Sequence, residues 1–326
     1  VRAKAIRRLL AAVAVFVVVG AAVAALLLFG GDDERPAAPP PSRPPSTTSA
    51  PSSTPPPRDP VLVVKIDNVS AARPQTGLAA ADVVYVEPVE GGLTRLAAVY
   101  SGQLPPVAGP VRSARETDAE LLAQYGHPTL VFSGAAPAIM DLLRAAPLTV
   151  VTELSHPGAY YRDPGRPRPH NLYTRPADLP VGTGAGPSRV LRFGVAPAGG
   201  RATTEHTVSY RAASYHLRWS AQQRRWLVSL DGSSLISSGA GQVGAATVVI
   251  QQVRVEPGRG VRDSTGSLSP FARTVGTGKV TVLRDGLAFE GTWSRPTAAE
   301  GTRFTTKDGE PLRLAKGPVW VLLVGS

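Results

Sequence analysis

Gly109-Pro110-Val111-Arg112-Ser113-Ala114-Arg115-Glu116 reads as the junction between a strand and a helix, and the elements on either side of it set the fold class. Ser113 and Glu116 fit the S-x-x-E capping box, which predicts a helix over residues 114–125 closed by Gly126. A helix N-terminus carries partial positive charge and unpaired N–H groups, so cations in its first turn are unfavourable there. Arg112 and Arg115 therefore point to an anion at this spot, from a ligand or from the protein's own carboxylates. Upstream, residues 61–67, 83–86 and 93–100 read as strands; downstream, residues 129–132 read as a buried strand. Pro137 then suits the first turn of a helix whose apolar positions are Ile139, Leu142 and Leu143. Alternating strands and helices predict an α/β domain over residues 60–195.

Beyond the loop Gly182-Thr183-Gly184-Ala185-Gly186-Pro187 the pattern changes to strands alone. Tyr215, Leu217 and Trp219 alternate with His216, Arg218 and Ser220, and Trp226, Val228 and Leu230 repeat the period. Asp231-Gly232 and Asp285-Gly286 supply hairpin turns. Further strands are expected over residues 247–255, 279–283, 287–293 and 319–324. The expectation for residues 205–326 is a separate antiparallel, all-β domain.

The N-terminal part reads differently. Arg2, Lys4, Arg7 and Arg8 precede an uncharged run over residues 9–29, followed by Asp32, Asp33 and Glu34. Those 21 residues suffice to span a bilayer core of about 30 Å, so residues 1–30 are expected to form a cytoplasmic tip and one transmembrane helix. A cleaved signal peptide is the competing reading, with Ala22-Val23-Ala24 as its processing site. Residues 31–59, with ten prolines between Pro36 and Pro57, are expected to be a disordered Pro/Ser/Thr linker. The bulk of the chain is then expected to lie outside the cytoplasm, tied to the membrane by that helix. Without cysteine the chain has no lipid attachment through an N-terminal Cys, no disulfide and no thiol chemistry. Of the net charge of +11, the tip contributes +4 and the linker −1, leaving +8 on residues 60–326. That charge suits an anionic envelope polymer or lipid headgroup. Nucleic acid is not expected as a partner, since no basic-aromatic motif is present.

Most enzyme constellations fail. Gly276-Thr277-Gly278-Lys279 lacks the leading glycine and trailing hydroxyl of a phosphate loop. Ser133 lacks the glycine of a nucleophile elbow, and His127, His156 and His170 are too scattered for a metal. No cofactor or metal is expected, and catalysis is left open. Two clusters stand out. Glu87 and Glu90 share a loop with Arg95, and Glu90 is expected to pair with Arg95, Arg112 or Arg115. The second loop, running from Tyr161-Arg162-Asp163 to His170-Asn171-Leu172-Tyr173, is rich in donors. The candidate ligand-binding set is Arg112 and Arg115, assisted by Arg73 and Arg95, positioned by Glu90 and joined by His170 and Asn171.

Several motifs together resemble the YerB-like family, a bacterial envelope family defined by a domain of unknown function with N- and C-terminal parts. They are Lys65-Ile66-Asp67-Asn68, Ala72-Arg73-Pro74-Gln75-Thr76-Gly77-Leu78, Val89-Glu90-Gly91-Gly92-Leu93-Thr94-Arg95, residues 109–115 and Pro169-His170-Asn171-Leu172-Tyr173. Gly276-Thr277-Gly278-Lys279, Gly291-Thr292-Trp293-Ser294-Arg295 and Gly317-Pro318-Val319-Trp320-Val321 continue the series, so the resemblance covers about residues 60–324. It implies an extracytoplasmic protein, often a lipoprotein, and brings no activity or cofactor. The chain departs from it in lacking a lipobox cysteine and in having Val86 where many relatives carry glutamate. A likeness of layout to envelope enzymes of the LytR-CpsA-Psr type implies that Arg73, Arg95, Arg112 and Arg115 hold a lipid pyrophosphate. The expectation is a binding protein of cell-envelope biogenesis, with an anionic wall polymer, a lipid pyrophosphate or an envelope protein as partner. The alternative is an enzyme that transfers or cleaves phosphate-linked envelope glycopolymers.

Overall fold

The computed structural model describes residues 58–262 and 266–326. Its centre is a mixed 13-stranded sheet. The first half contributes β1 (Asp59–Ile66), β2 (Val83–Pro88), β3 (Thr94–Tyr100), β4 (Thr129–Val131) and β5 (Thr149–Val151). A separate antiparallel sheet is built on β6 (Glu205–Tyr210), β7 (Ala213–Ser220) and β8 (Arg225–Leu230). The chain then returns to the central sheet with β9 (Thr247–Val253). It leaves as a hairpin, β10 (Val255–Arg262) and β11 (Leu268–Ala272), and re-enters as β12 (Gly276–Arg284), β13 (Leu287–Arg295) and β14 (Val319–Gly325). The central order is β13-β12-β9-β14-β2-β3-β1-β4-β5.

The last strand joins the halves. β14 pairs in parallel with β9 on one side, Val249 opposite Val321, and with β2 on the other, Tyr85 opposite Val321. Its sequence Val-Trp-Val-Leu-Leu-Val does not alternate, because side chains on both faces are buried, as in a central parallel strand. This overturns the expected architecture of an α/β domain followed by a separate antiparallel β domain. The protein is mostly β, and one sheet runs through both halves.

The two faces of that sheet carry separate cores. Leu62, Val64, Val84, Leu96, Ile250, Trp320 and Leu322 pack toward the small sheet, meeting Tyr215, Leu217, Trp226 and Val228. Val61, Val63, Tyr85, Val249, Val282 and Val321 face the opposite way, toward α1 (Glu116–Leu122) and α2 (Pro137–Ala145). The two α-helices α1 and α2 therefore cover this second face, and the strand-helix alternation of residues 60–145 overstates the helical content. Gly182–Gly184, expected as a boundary loop, is a short strand that pairs with Asp59–Val61.

No helix among the described residues is long and apolar enough to cross a membrane, the longest being the nine residues of α2. The transmembrane helix expected within residues 1–30 falls outside the residues so described. The run over residues 9–29 and the Pro-rich stretch through Pro57 lie outside the described residues.

Candidate functional site

β1, β2 and β4 run in the same direction, and the segment 110–114 crosses their carboxyl ends. It is held there by Asp67 N–H donating to Pro110 O (2.8 Å), Arg112 N–H to Lys65 O (2.8 Å), and Ala114 N–H to Gly134 O (3.1 Å). Gly109, at φ +152°, turns the chain into this segment, where a Cβ would come within 2.8 Å of the Tyr173 ring. The β2–β3 turn enters from the other side, and Gly91 and Gly92 both take left-handed backbone (φ +72° and +78°). Between these segments lies a cleft of about 540 Å³. Its charged lining is Arg95, Arg112, Arg115 and Arg262 against Asp67 and Glu90. Ligand sites in sheets of this kind collect at the carboxyl ends of parallel strands for the same topological reason.

Each arginine is held differently. Arg115 and Glu90 form a bidentate pair, Nε to Oε1 at 2.6 Å and Nη2 to Oε2 at 2.7 Å. Burial pushes the Glu90 carboxyl up, but the hydrogen bonds and charge of Arg115 outweigh it and hold Glu90 below the usual carboxylate range. Arg112 Nε lies 2.9 Å from Asp67 Oδ2, as an ion pair not aligned as a hydrogen bond. Arg95 forms the floor. It is only 7% exposed, its Nη1 donates to Ser113 O at 3.0 Å, and its Nε is buried without a hydrogen-bond partner among the described residues. Burial, then the neighbouring Arg115 charge, lower its pKa to about 10. A buried guanidinium with an unused donor, facing two more guanidiniums, is an arrangement that an anion would complete.

The helix itself adds little. α1 starts at Glu116, later than the expected capping box, with Arg115 as N-cap. Asp118 Oδ2 accepts the Arg115 N–H at 2.7 Å, so the protein's own carboxylate already occupies the helix start. The arginine side chains make the site cationic.

Of the seven expected residues, Arg95, Arg112, Arg115 and Glu90 line this cleft. His170 reaches its edge, its Nδ1 2.8 Å from Asp67 Oδ2. Arg73 is turned away, donating to Asn68 O (3.0 Å) and Asp231 Oδ2 (2.8 Å). Asn171 is used structurally, accepting from Arg162 Nη1 (3.1 Å) and donating to Asp163 O (3.2 Å).

The reading of residues missed the charges beneath the cleft. Lys65 Nζ lies 2.8 Å from both Glu87 Oε1 and Asp118 Oδ1, and all three side chains are fully buried. Glu87 stands opposite Arg95 in the β2–β3 register. Burial, then the Asp118 charge, raise the Glu87 pKa to about 7 despite Lys65. A lysine inside the apolar run of β1 was the available signal, because lysine is almost never buried unless paired. Asp67, which bridges His170 and Arg112, follows directly in the same motif. Among the described residues no group of three or more His, Cys, Asp or Glu is arranged to hold a metal.

Two family models match the chain. Residues 47–185 match the N-terminal domain, and residues 206–321 the C-terminal domain, of "Protein of unknown function (DUF3048)". The chain is 36% identical over 118 residues to a Bacillus subtilis protein named "Putative lipoprotein YerB". That match spans 36% of this chain and 35% of the relative. The crystal structure of the YerB protein from Bacillus subtilis has a similar fold, with a TM-score of 0.68 at 22% identity. The superposition covers 82% of this chain and 91% of that one.

Proposed function

The chain belongs to the YerB-like family of proteins of unknown function, and from that premise we propose that it is a cell-envelope binding protein whose arginine cleft receives an anionic group. The observation that carries this reading is Arg95, buried at the cleft floor with an unpartnered Nε and flanked by Arg112 and Arg115. Arg112 is the adaptable member, its side chain held among the described residues by the one ion pair with Asp67. Glu90 fixes Arg115 rather than competing for the ligand, since both of its oxygens are engaged. The relative named as a lipoprotein supports action at a membrane surface, outside the cytoplasm. Phosphate groups of an envelope polymer or lipid fit the planar donor fork of arginine.

A second reading, an enzyme acting on phosphate-linked glycopolymers, draws support from the His170–Asp67 contact, which orients an imidazole beside the anion site. Phosphate release from such a polymer that disappears in His170→Ala would favour it.

The test of the binding reading is thermal melting of the full chain with and without poly(glycerol phosphate). A ligand at 100 times its Kd that binds only the folded state adds about 2.7 kcal/mol, enough to raise Tm by several degrees. The shift is expected in the parent protein and absent in Arg112→Ala. An equal shift in both proteins rejects the site.

A further inference from the structure

Beside the cationic cleft, on the other side of the Glu90-Gly91-Gly92 turn, lies a second hollow of about 570 Å³. The two share Val89 and Glu90 as lining residues. Its apolar wall is Val89, Tyr210, Val255, Leu268, Pro270 and Val324, and Glu90, Ser209, Arg211 and Ser267 also line it. Among the described residues, seven large apolar side chains are exposed, and three of them gather here. Val255 (37%) and Leu268 (40%) face the second hollow, while Leu93 lines the cationic cleft. Val255 and Leu268 belong to the hairpin strands β10 and β11, which pair outside the central sheet. Exposed apolar side chains usually occur singly; a cluster that continues a charged cleft needs a reason.

We propose that the ligand of this protein is an amphiphilic anion, a phosphate-bearing lipid. Its head would sit on Arg95 and Arg112, and its hydrocarbon chain would pass over Val89 into the Val255–Leu268 hollow. This rests on the anion-binding reading above and adds the chemical class of the ligand. Four arginines line the first hollow against one, Arg211, in the second, where the larger side chains are mostly apolar. Each hollow has the size of a small-molecule site. A purely polar polymer would use the first and leave the second without an occupant.

The experiment is calorimetric titration of the full chain with inorganic phosphate, butyl phosphate and octyl phosphate, below the micelle concentration of the last. Each methylene removed from water strengthens binding about fourfold. The octyl ester is therefore expected to bind at least tenfold tighter than the butyl ester, and the butyl ester tighter than phosphate. Leu268→Asp and Val255→Asp, both at partly exposed positions, are expected to remove the dependence on chain length while leaving phosphate binding intact. Arg112→Ala is expected to weaken all three ligands together. Melting without ligand confirms that each variant is folded. Equal affinity for the three ligands in the parent overturns the lipid inference and leaves the anion site standing. Chain-length dependence that survives in both groove variants also overturns it. If none of the three binds the parent, both readings fall.

Discussion

Arg115 and Glu90 show how a single pair shapes the cleft. They are 15% and 6% exposed and bind each other through both carboxylate oxygens. Removing one partner of such a pair leaves an uncompensated charge. Glu90→Gln is therefore expected to cost about 2–3 kcal/mol of stability, read as a lower urea midpoint. The same change frees Arg115, so Glu90→Gln is expected to bind inorganic pyrophosphate more tightly than the parent; weaker binding would make Glu90 a ligand contact instead. Glu87 gives a pH prediction. Its pKa is raised from 4.5 to about 7, so the folded state keeps a proton that the unfolded chain releases. That contribution is fully present below pH 4.5 and is lost as pH rises through about 7. Glu87→Gln should therefore gain stability relative to the parent between pH 5 and pH 8, in paired melting curves. At this scale the sequence showed the arginines and Glu90, because charged residues flanking glycine turns stand out. It did not show that Arg73 and Asn171 are used elsewhere, since their partners Asp231 and Arg162 are set by loop packing.

At the scale of elements, α1 is the clamp between the halves of the chain. Its Glu116 accepts from Arg259 N–H (2.9 Å), its Thr117 Oγ1 from Ala272 N–H (3.0 Å), and its Glu120 Oε1 from Thr274 N–H, Thr274 Oγ1 and Val275 N–H. In return Arg295 of β13, fully buried, donates to the carbonyls of Glu120 and Leu121 at the helix end. The short helix thus has both its acidic face and its last carbonyls satisfied by the second half. Glu120→Ala leaves two backbone donors and a hydroxyl without their acceptor, and an expected loss of about 2–3 kcal/mol is measurable by urea denaturation. The helix was legible from the sequence, but its start lay later than the Ser113 capping box suggested, because Asp118 rather than Glu116 closes the cap. The alternation in β7 and β8 was equally legible: Tyr215, Leu217, Trp226 and Val228 are all buried. Asp231-Gly232 and Asp285-Gly286 take the left-handed conformations that their hairpins need.

For the whole molecule, the placement of β14 matters most. The strand Val319–Gly325 unites β2 with β9, more than 150 positions apart in sequence. Local patterns cannot report such a partner. What the sequence did carry was the unbroken apolar run of residues 319–324, the mark of a strand buried on both faces. Trp320, buried on the face toward the small sheet, is the natural probe. Trp320→Ala is expected to cost about 3–5 kcal/mol. Because one sheet serves both halves, amide-exchange protection in β2 and β9 should fall together in this variant. Loss confined to β9 would mean that the halves are energetically separate.

The central claim, an anion site built on Arg95 and Arg112, is tested most directly by calorimetric titration of the full chain with inorganic pyrophosphate at low salt. The account predicts saturable binding that weakens at least tenfold in folded Arg112→Ala and declines as salt screens the cleft. No heat in the parent protein, or an unchanged isotherm in Arg112→Ala, would contradict it.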